Sequence, residues 1–277
     1  MKPLDAVWLM MESADTPMHV GVLAVFSKPR RAPADYLRDQ VENMREAEPV
    51  APWNHRLLDP RSTIVRPRLI EEQGFDLDYH VRHLALPEPG GERELGVLVS
   101  RLHSQALDRH RPLWQFHVIE GLERDRFAFY IKVHHALIDN VNAIPLVMAW
   151  LSASARTRTL QPFWQQGLDD ALQAPDNLSA WKTMTDPVEA ITSMGRAASG
   201  FLQSAFKGGA ERSFLTPFGT PRSTLNRFIS SQRRFATWQF SQSRIEAMAD
   251  ASDSTLNEIL AYLCGSSLRR FFKEYNA

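Results

Sequence analysis

Hydrophobic positions along this chain repeat with two periods, and the switches between them mark out interleaved strands and helices. "LDAVWLMMES" (4–13) reads as a short helix, and "HVGVLAVFS" (19–27), β-branched and aromatic, as a strand ended by Pro29. In "PADYLRDQVENMREAE" (33–48) the apolar side chains of Tyr36, Leu37, Val41 and Met44 share one helical face. "DYHVRHLALP" (78–87) alternates like a half-buried strand, and "ERELGVLVSRLHSQAL" (92–107) returns to helical spacing. "LWQFHVIEGL" (113–122) and "RFAFYIKV" (126–133) read as two strands joined by a tight turn at Glu123–Asp125, an antiparallel hairpin. The second of them is apolar on both faces, which predicts a central strand covered on both sides.

Beyond Asp139, the positions of Val141, Ile144, Leu146, Val147, Trp150 and Leu151 predict a helix with Pro145 in its first turn. From about 155 to 178 the composition turns to Pro, Gln, Asp and Thr, a linker composition. An amphipathic stretch (179–206) follows, then a Gly/Pro/Ser-rich loop to about 231 holding Arg222 and Arg227. "RRFATWQF" (233–240) reads as a strand and "STLNEILAYLCGSSLRRFFKEY" (254–275) as a strong helix. The expected division is an N-terminal domain over 1–155, a linker with an amphipathic helix over 156–231, and the start of a second domain over 232–277.

Composition narrows the function classes. The 277 residues carry 32 basic and 32 acidic side chains, so the formal charge is zero and there is no basic excess of the kind that nucleic-acid binding leaves. The single cysteine, Cys264, cannot form an internal disulfide and suits a reducing compartment, so the cytoplasm is expected. The apolar patch Val7–Met11 is bracketed by Asp5 and Glu12, too short and too charged for a signal peptide, and no run reaches the ~20 apolar residues of a membrane span.

The candidate chemistry lies in "FAFYIKVHHALIDN" (127–140), where a strand ends on two adjacent histidines. Successive extended residues point to opposite sides, so one ring works and the other braces unless the loop has turned. Three readings compete on the residues alone: a pair of satisfied core histidines, a metal site, or a general base. The pair with Asp139 lacks a spaced Cys/His set or a helical His-Glu-x-x-His, which argues against metal. No Gly-x-Ser-x-Gly elbow offers a serine nucleophile, and Cys264 sits inside a helical pattern as a small core residue. A neutral imidazole, with an ordinary pKa of ~6.5, can take a proton from a hydroxyl as that oxygen attacks an activated acyl carbon.

"HHALIDN" resembles the His-His-x-x-x-Asp-Gly motif of the coenzyme-A-dependent acyltransferase superfamily, which includes chloramphenicol acetyltransferase and peptide-synthetase condensation domains. "DTPMHVG" (15–21), the block 76–123, "RRFAT" (233–237) and "STLNEILAYLCGSSLRRF" (254–271) are similar to bacterial wax ester synthase/acyl-CoA:diacylglycerol acyltransferases, in order and across nearly the whole chain. The resemblance implies an α/β fold, a chloramphenicol acetyltransferase-like two-layer sandwich with a mixed sheet and covering helices, and a second domain cut short. It implies transfer of a long acyl group from acyl-CoA, a co-substrate, to a fatty alcohol or diacylglycerol, with no cofactor and no metal. His135 would be the base, His134 its support, and Asp139 chiefly structural through charge-assisted bonds. Pro112, Leu113 and Trp114 match a Pro-Leu-Trp element that shapes the site, and Asn257 with Glu258 matches an Asn-Asp pair near the substrate tunnel.

Three departures accompany this likeness. Asn140 stands where the family has Gly, the least costly replacement if positive φ is required there. Glu258 replaces Asp and adds a methylene. Relatives continue well past residue 277 into a second domain that walls the tunnel. The rival expectations are therefore a weakly active or inactive lipid- or acyl-CoA-binding relic, and a condensation-type domain acting on carrier-protein thioesters. The stretch around Trp181, Ile191, Met194, Phe201 and Phe206 either rests on a membrane or lipid-inclusion surface or packs as core.

Overall fold

The computed structural model describes residues 3–61, 67–138, 146–147, 149–151, 161–167, 225 and 229–275. The chain divides into two compact units, Met1–Gly209 with Ile229–Phe235, and Ala210–Phe228 with Ala236–Ala277. In the first unit the order is α1 (Pro3–Met11), β1 (His19–Ser27), α2 (Tyr36–Arg45), β2 (His55–Leu57), β3 (Leu69–Glu71), α3 (Leu77–His80), β4 (Val81–Ala85), α4 (Glu92–Ser104), β5 (Trp114–Leu122) and β6 (Arg126–His134). In the second unit are α5 (Gln242–Ala251) and α6 (Leu256–Glu274). The predicted amphipathic stretch 179–206 lies outside the described residues, as do Val141, Ile144 and Pro145.

The main sheet has the order β1-β6-β5-β4, with β4 and β5 parallel and the other pairs antiparallel. It is the mixed sheet with covering helices that the sequence implies, and β6 is central with both faces buried. One face of β6 (Phe127, Phe129, Ile131, Val133) joins Leu37, Val41 and Met44 of α2 and an aromatic cluster of Trp53, Trp114, Phe163 and Trp164. The other face packs Ala128 and Tyr130 against Leu95, Val99 and Leu102 of α4. This second face is more polar than the sequence pattern suggests, for Lys132 and His134 lie in the same row and both are buried.

Two predicted strands are corrected. In 78–87 the strand begins only at Val81, because the Asp76 carboxylate accepts the Tyr79 N–H (3.1 Å) and caps the helical turn α3. The segment 233–240 forms no strand. Its amide groups find other partners: the N–H groups of Arg233 and Phe235 donate to the Ser104 and Ser100 hydroxyls of α4, each at 2.7 Å. Within the Pro/Gln-rich stretch after 155, the described residues 161–167 enter the core, where the Trp164 indole N–H donates to the Ala47 carbonyl (2.9 Å).

The β5–β6 hairpin turns at Glu123–Asp125 as expected, with Arg124 and Asp125 at positive φ. Just before it, a register irregularity between Ile119 and Leu122 brings Gly121 against the loop that precedes α4. Gly90 in that loop has φ +72°, and a Cβ there would lie 1.8 Å from the Gly121 carbonyl oxygen. Gly90→Ala therefore meets both backbone strain and a backbone collision. It is expected to lower the unfolding free energy by roughly 2–4 kcal/mol, read as a fall in the urea midpoint at unchanged slope.

Candidate functional site

The histidine pair sits where β6 gives way to a turn. The His134 N–H donates to the Leu113 carbonyl (2.9 Å), the His135 N–H to the Met18 carbonyl (3.0 Å), and the Leu137 N–H back to the His134 carbonyl (2.9 Å). Main-chain bonds to the residue preceding β5, to the residue preceding β1 and within the turn thus fix both backbones, and the two rings meet different surroundings. His134 is wholly buried: its Nδ1 accepts the Ala136 N–H at 2.9 Å, which leaves the proton on Nε2. His135 keeps partial exposure, and its ring lies on the Trp8 indole at 4.7 Å between centroids and 25° between planes. Burial, and then the neighbouring His134, push the His135 pKa below its ordinary 6.5, so at neutral pH the ring is uncharged and able to accept a proton.

Beneath the pair stands Glu12, which sequence reading treats only as a charge flanking the first helix. Its Oε1 accepts the Met18 N–H (3.1 Å) and faces His134 Nε2 at 3.5 Å. Its Oε2 accepts from Arg109 Nε at 2.8 Å, and the same guanidinium donates to the Leu9 carbonyl at 2.6 Å. Burial alone would raise the Glu12 carboxyl, but the His134 ring, the Met18 N–H and Arg109 outweigh it and hold the pKa at about 2. No local pattern ties positions 12, 109 and 134 together, and only the fold brings them side by side.

The other expected site residues divide by location. Pro112, Leu113 and Trp114 lead into β5 and are buried; Leu113 supplies the carbonyl that pins His134, and the Trp114 indole N–H donates to the Trp53 carbonyl at 2.8 Å. His80 braces that tryptophan from its other side, its Nδ1 2.8 Å from the Trp114 carbonyl. Asp139 and Asn140 lie outside the described residues. Asn257 and Glu258 belong to the second unit, at the start of α6. There Glu258 closes a capping box: its carboxylate accepts the Thr255 N–H (2.7 Å) and hydroxyl (2.9 Å), while its own N–H donates to the Thr255 hydroxyl. A small apolar cavity lies on the aromatic side of β1 and β6, lined by Val20, Val22, Ile131, Val133 and Ile138 among others. Among the described residues no group of three or more His, Cys, Asp or Glu is placed to hold a metal ion.

The Glu12 carboxylate contributes to stability as well as to the site. Its pKa of about 2 in the folded protein lies below the ordinary 4.5, so the stabilisation is complete above pH 4.5 and disappears as the pH falls towards 2. Glu12→Gln is expected to cost roughly 2–3 kcal/mol at pH 7, with the difference from the parent protein closing at the acid end of a pH series of denaturation curves.

Comparison with known proteins identifies the family. The family model described as "Wax ester synthase/diacylglycerol acyltransferase catalytic domain" matches residues 1–260. The chain is 34% identical over 280 residues to "O-acyltransferase WSD" of Acinetobacter baylyi, covering 99% of this chain and 60% of that protein. It is also 34% identical over 284 residues to "Probable diacyglycerol O-acyltransferase tgs2" of Mycobacterium tuberculosis, covering 100% of this chain and 61% of that one. The structure superposes on the wax ester synthase/diacylglycerol acyltransferase from Marinobacter aquaeolei VT8 with a TM-score of 0.77 at 32% identity, again over 100% of this chain and 61% of that protein. The chain thus spans about 60% of the length of the relatives it matches. With the matched segment running from its first residue through the histidine turn and into α6, the chain belongs to the wax ester synthase/diacylglycerol acyltransferase family.

Proposed function

We propose that the chain carries the catalytic histidine of an O-acyltransferase that moves a long acyl group from acyl-CoA to a fatty alcohol or diacylglycerol, giving wax ester or triacylglycerol. The observation that carries this reading is the asymmetry of the pair: His134 is buried and held, while the neighbouring His135 is partly exposed and kept neutral. In the proposed reaction His135 takes the proton of the acceptor hydroxyl as its oxygen bonds to the thioester carbonyl carbon. The C–S bond then breaks, and the departing thiolate takes a proton from the imidazolium, so neither a covalent enzyme intermediate nor a cofactor is needed. Pro112, Leu113 and Trp114 are assigned to support of the turn, Asp139 to a structural role beside the histidines, and Asn140, Asn257 and Glu258 to substrate binding. The apolar stretch 179–206 is proposed to rest peripherally on the inner membrane face or on lipid inclusions of the cytoplasm.

The test is ester formation from palmitoyl-CoA and hexadecanol or diacylglycerol. His135→Ala is expected to lower the rate by about 10²–10⁴-fold while circular dichroism and melting temperature stay unchanged. A parent protein that binds acyl-CoA but forms no ester overturns the enzymatic reading in favour of a lipid-binding relic. The depressed pKa of His135 also sets a pH profile: kcat/KM rises with pH through an inflection below 6.5, as the base loses its proton, and is flat near neutrality.

A further inference from the structure

On the α4 side of the sheet lies a second cavity, of about 440 Å³, whose lining includes Gly21, Leu23, His103, Tyr130, Arg233 and Arg234. Its construction is legible in α4. Ser100 and Ser104 return their own hydroxyl protons to the Gly96 and Ser100 carbonyls (2.6 and 2.7 Å), which leaves each oxygen free to accept an N–H from the segment 229–235. Gly96 completes the seat, since a Cβ there would lie 2.8 Å from the Phe235 carbonyl oxygen. The segment is thereby strapped along a small-residue face of α4, and the strap brings two consecutive arginines to the cavity. Gly21 keeps the opposite wall open, because a Cβ at that position would lie 2.7 Å from the Tyr130 hydroxyl.

The cavity is cationic. The Arg233 guanidinium donates only to uncharged carbonyls, those of Asp15 (2.8 Å), Gln232 and Ser230, and among the described residues no carboxylate lies within ion-pair distance of Arg233 or Arg234. Among the described residues no acidic side chain lines the cavity. His103, its Nδ1 2.7 Å from the Tyr130 hydroxyl, is held below its ordinary pKa by burial and then by the positive charges of Lys132 and Arg233. His19 is set edge-on to His103 and donates from Nε2 to its carbonyl, and it is depressed by burial and Lys132 to about 3. A pocket with two arginines, a phenol, an imidazole and no counter-charge is suited to an oxyanion.

We propose that this cavity is an anion subsite that receives the phosphate groups of the acyl donor's coenzyme, with Arg234 as the principal contact. The inference rests on the acyl-CoA reading of the histidine site. Tyr130 precedes His134 by four strand residues, about 13 Å along β6, a separation within the reach of the pantetheine arm that joins the donor's phosphates to its thioester.

Direct binding separates this proposal from the catalytic one, because it is read whether or not ester forms. By calorimetry on the whole chain, Arg234→Ala is expected to weaken binding of coenzyme A about 10-fold or more, and Arg234→Lys to restore part of the loss. Binding of S-palmitoyl-pantetheine, which lacks every phosphate, should be unchanged in both variants. In spectra of labelled imidazoles, coenzyme A should raise the titration midpoint of His103, since a bound anion opposes the field of Lys132 and Arg233. Equal coenzyme A affinities in the parent and Arg234→Ala proteins overturn the assignment. So does an Arg234-dependent affinity for inorganic phosphate without a matching dependence for coenzyme A, which would make free phosphate the occupant.

Discussion

The fixation of His134 is the constraint on which the site depends. A fully buried imidazole needs partners, and His134 is held by the Leu113 carbonyl at its N–H and the Ala136 N–H at Nδ1, while Nε2 makes no hydrogen bond within the described structure and faces the Glu12 carboxylate at 3.5 Å. These partners come from the start of β5, the turn itself and the end of α1, so the strand end cannot shift without disturbing all three. His135 inherits its place from that rigidity. Among the described residues its ring has no polar anchor of its own; the Trp8 face and the backbone bond to Met18 hold it.

The same row of β6 holds the sheet to α4. Lys132 is buried with no carboxylate partner among the described residues, and its ammonium donates to the carbonyls of Leu102 (2.9 Å) and Gln105 (2.8 Å) at the carboxyl end of the helix. Those carbonyls lack intrahelical partners and carry the negative end of the helix dipole, so the cation caps the helix from below. Burial, and then Arg82, still lower the lysine to about 8, which places it close to release of its proton at the alkaline edge of the physiological range. The position of α4 in turn decides where its serines present their hydroxyls to the 229–235 segment.

How much of this the sequence discloses varies with the range of the forces involved. Local periodicity predicts β1 over 19–27 and the β5–β6 hairpin with its turn at 123–125, because alternation and turn chemistry are encoded within a few residues. It mistakes 78–80 for strand, since an Asx cap at Asp76 overrides the alternation, and it mistakes 233–240 for strand, since whether an extended segment pairs depends on what edge lies beside it. Adjacent histidines at a strand's end are visible as candidate chemistry, and the different surroundings of their two rings follow from strand geometry. Glu12 and Arg109 are not visible, because their relation to His134 exists only across 122 and 25 positions of chain. Lys132 carries a signal that pattern reading passes over: a lone ammonium inside an apolar strand requires a carbonyl-rich partner, and a helix terminus is a ready source.

Charge regulation links the two ends of this row. His19 and His117, both buried on the α4 side of the sheet, are driven to about 3 by burial and by Lys132, so neither competes with the lysine for the positive charge of that layer. Glu12 acts on His19 in the opposite sense, raising it, which places an anion at the histidine-turn end and a cation nearer the arginine-lined cavity. Between them the imidazoles remain neutral and polarisable rather than charged. A phosphate arriving at the arginines would favour the charged forms of Lys132 and His103, which burial and the surrounding positive charges hold down in its absence.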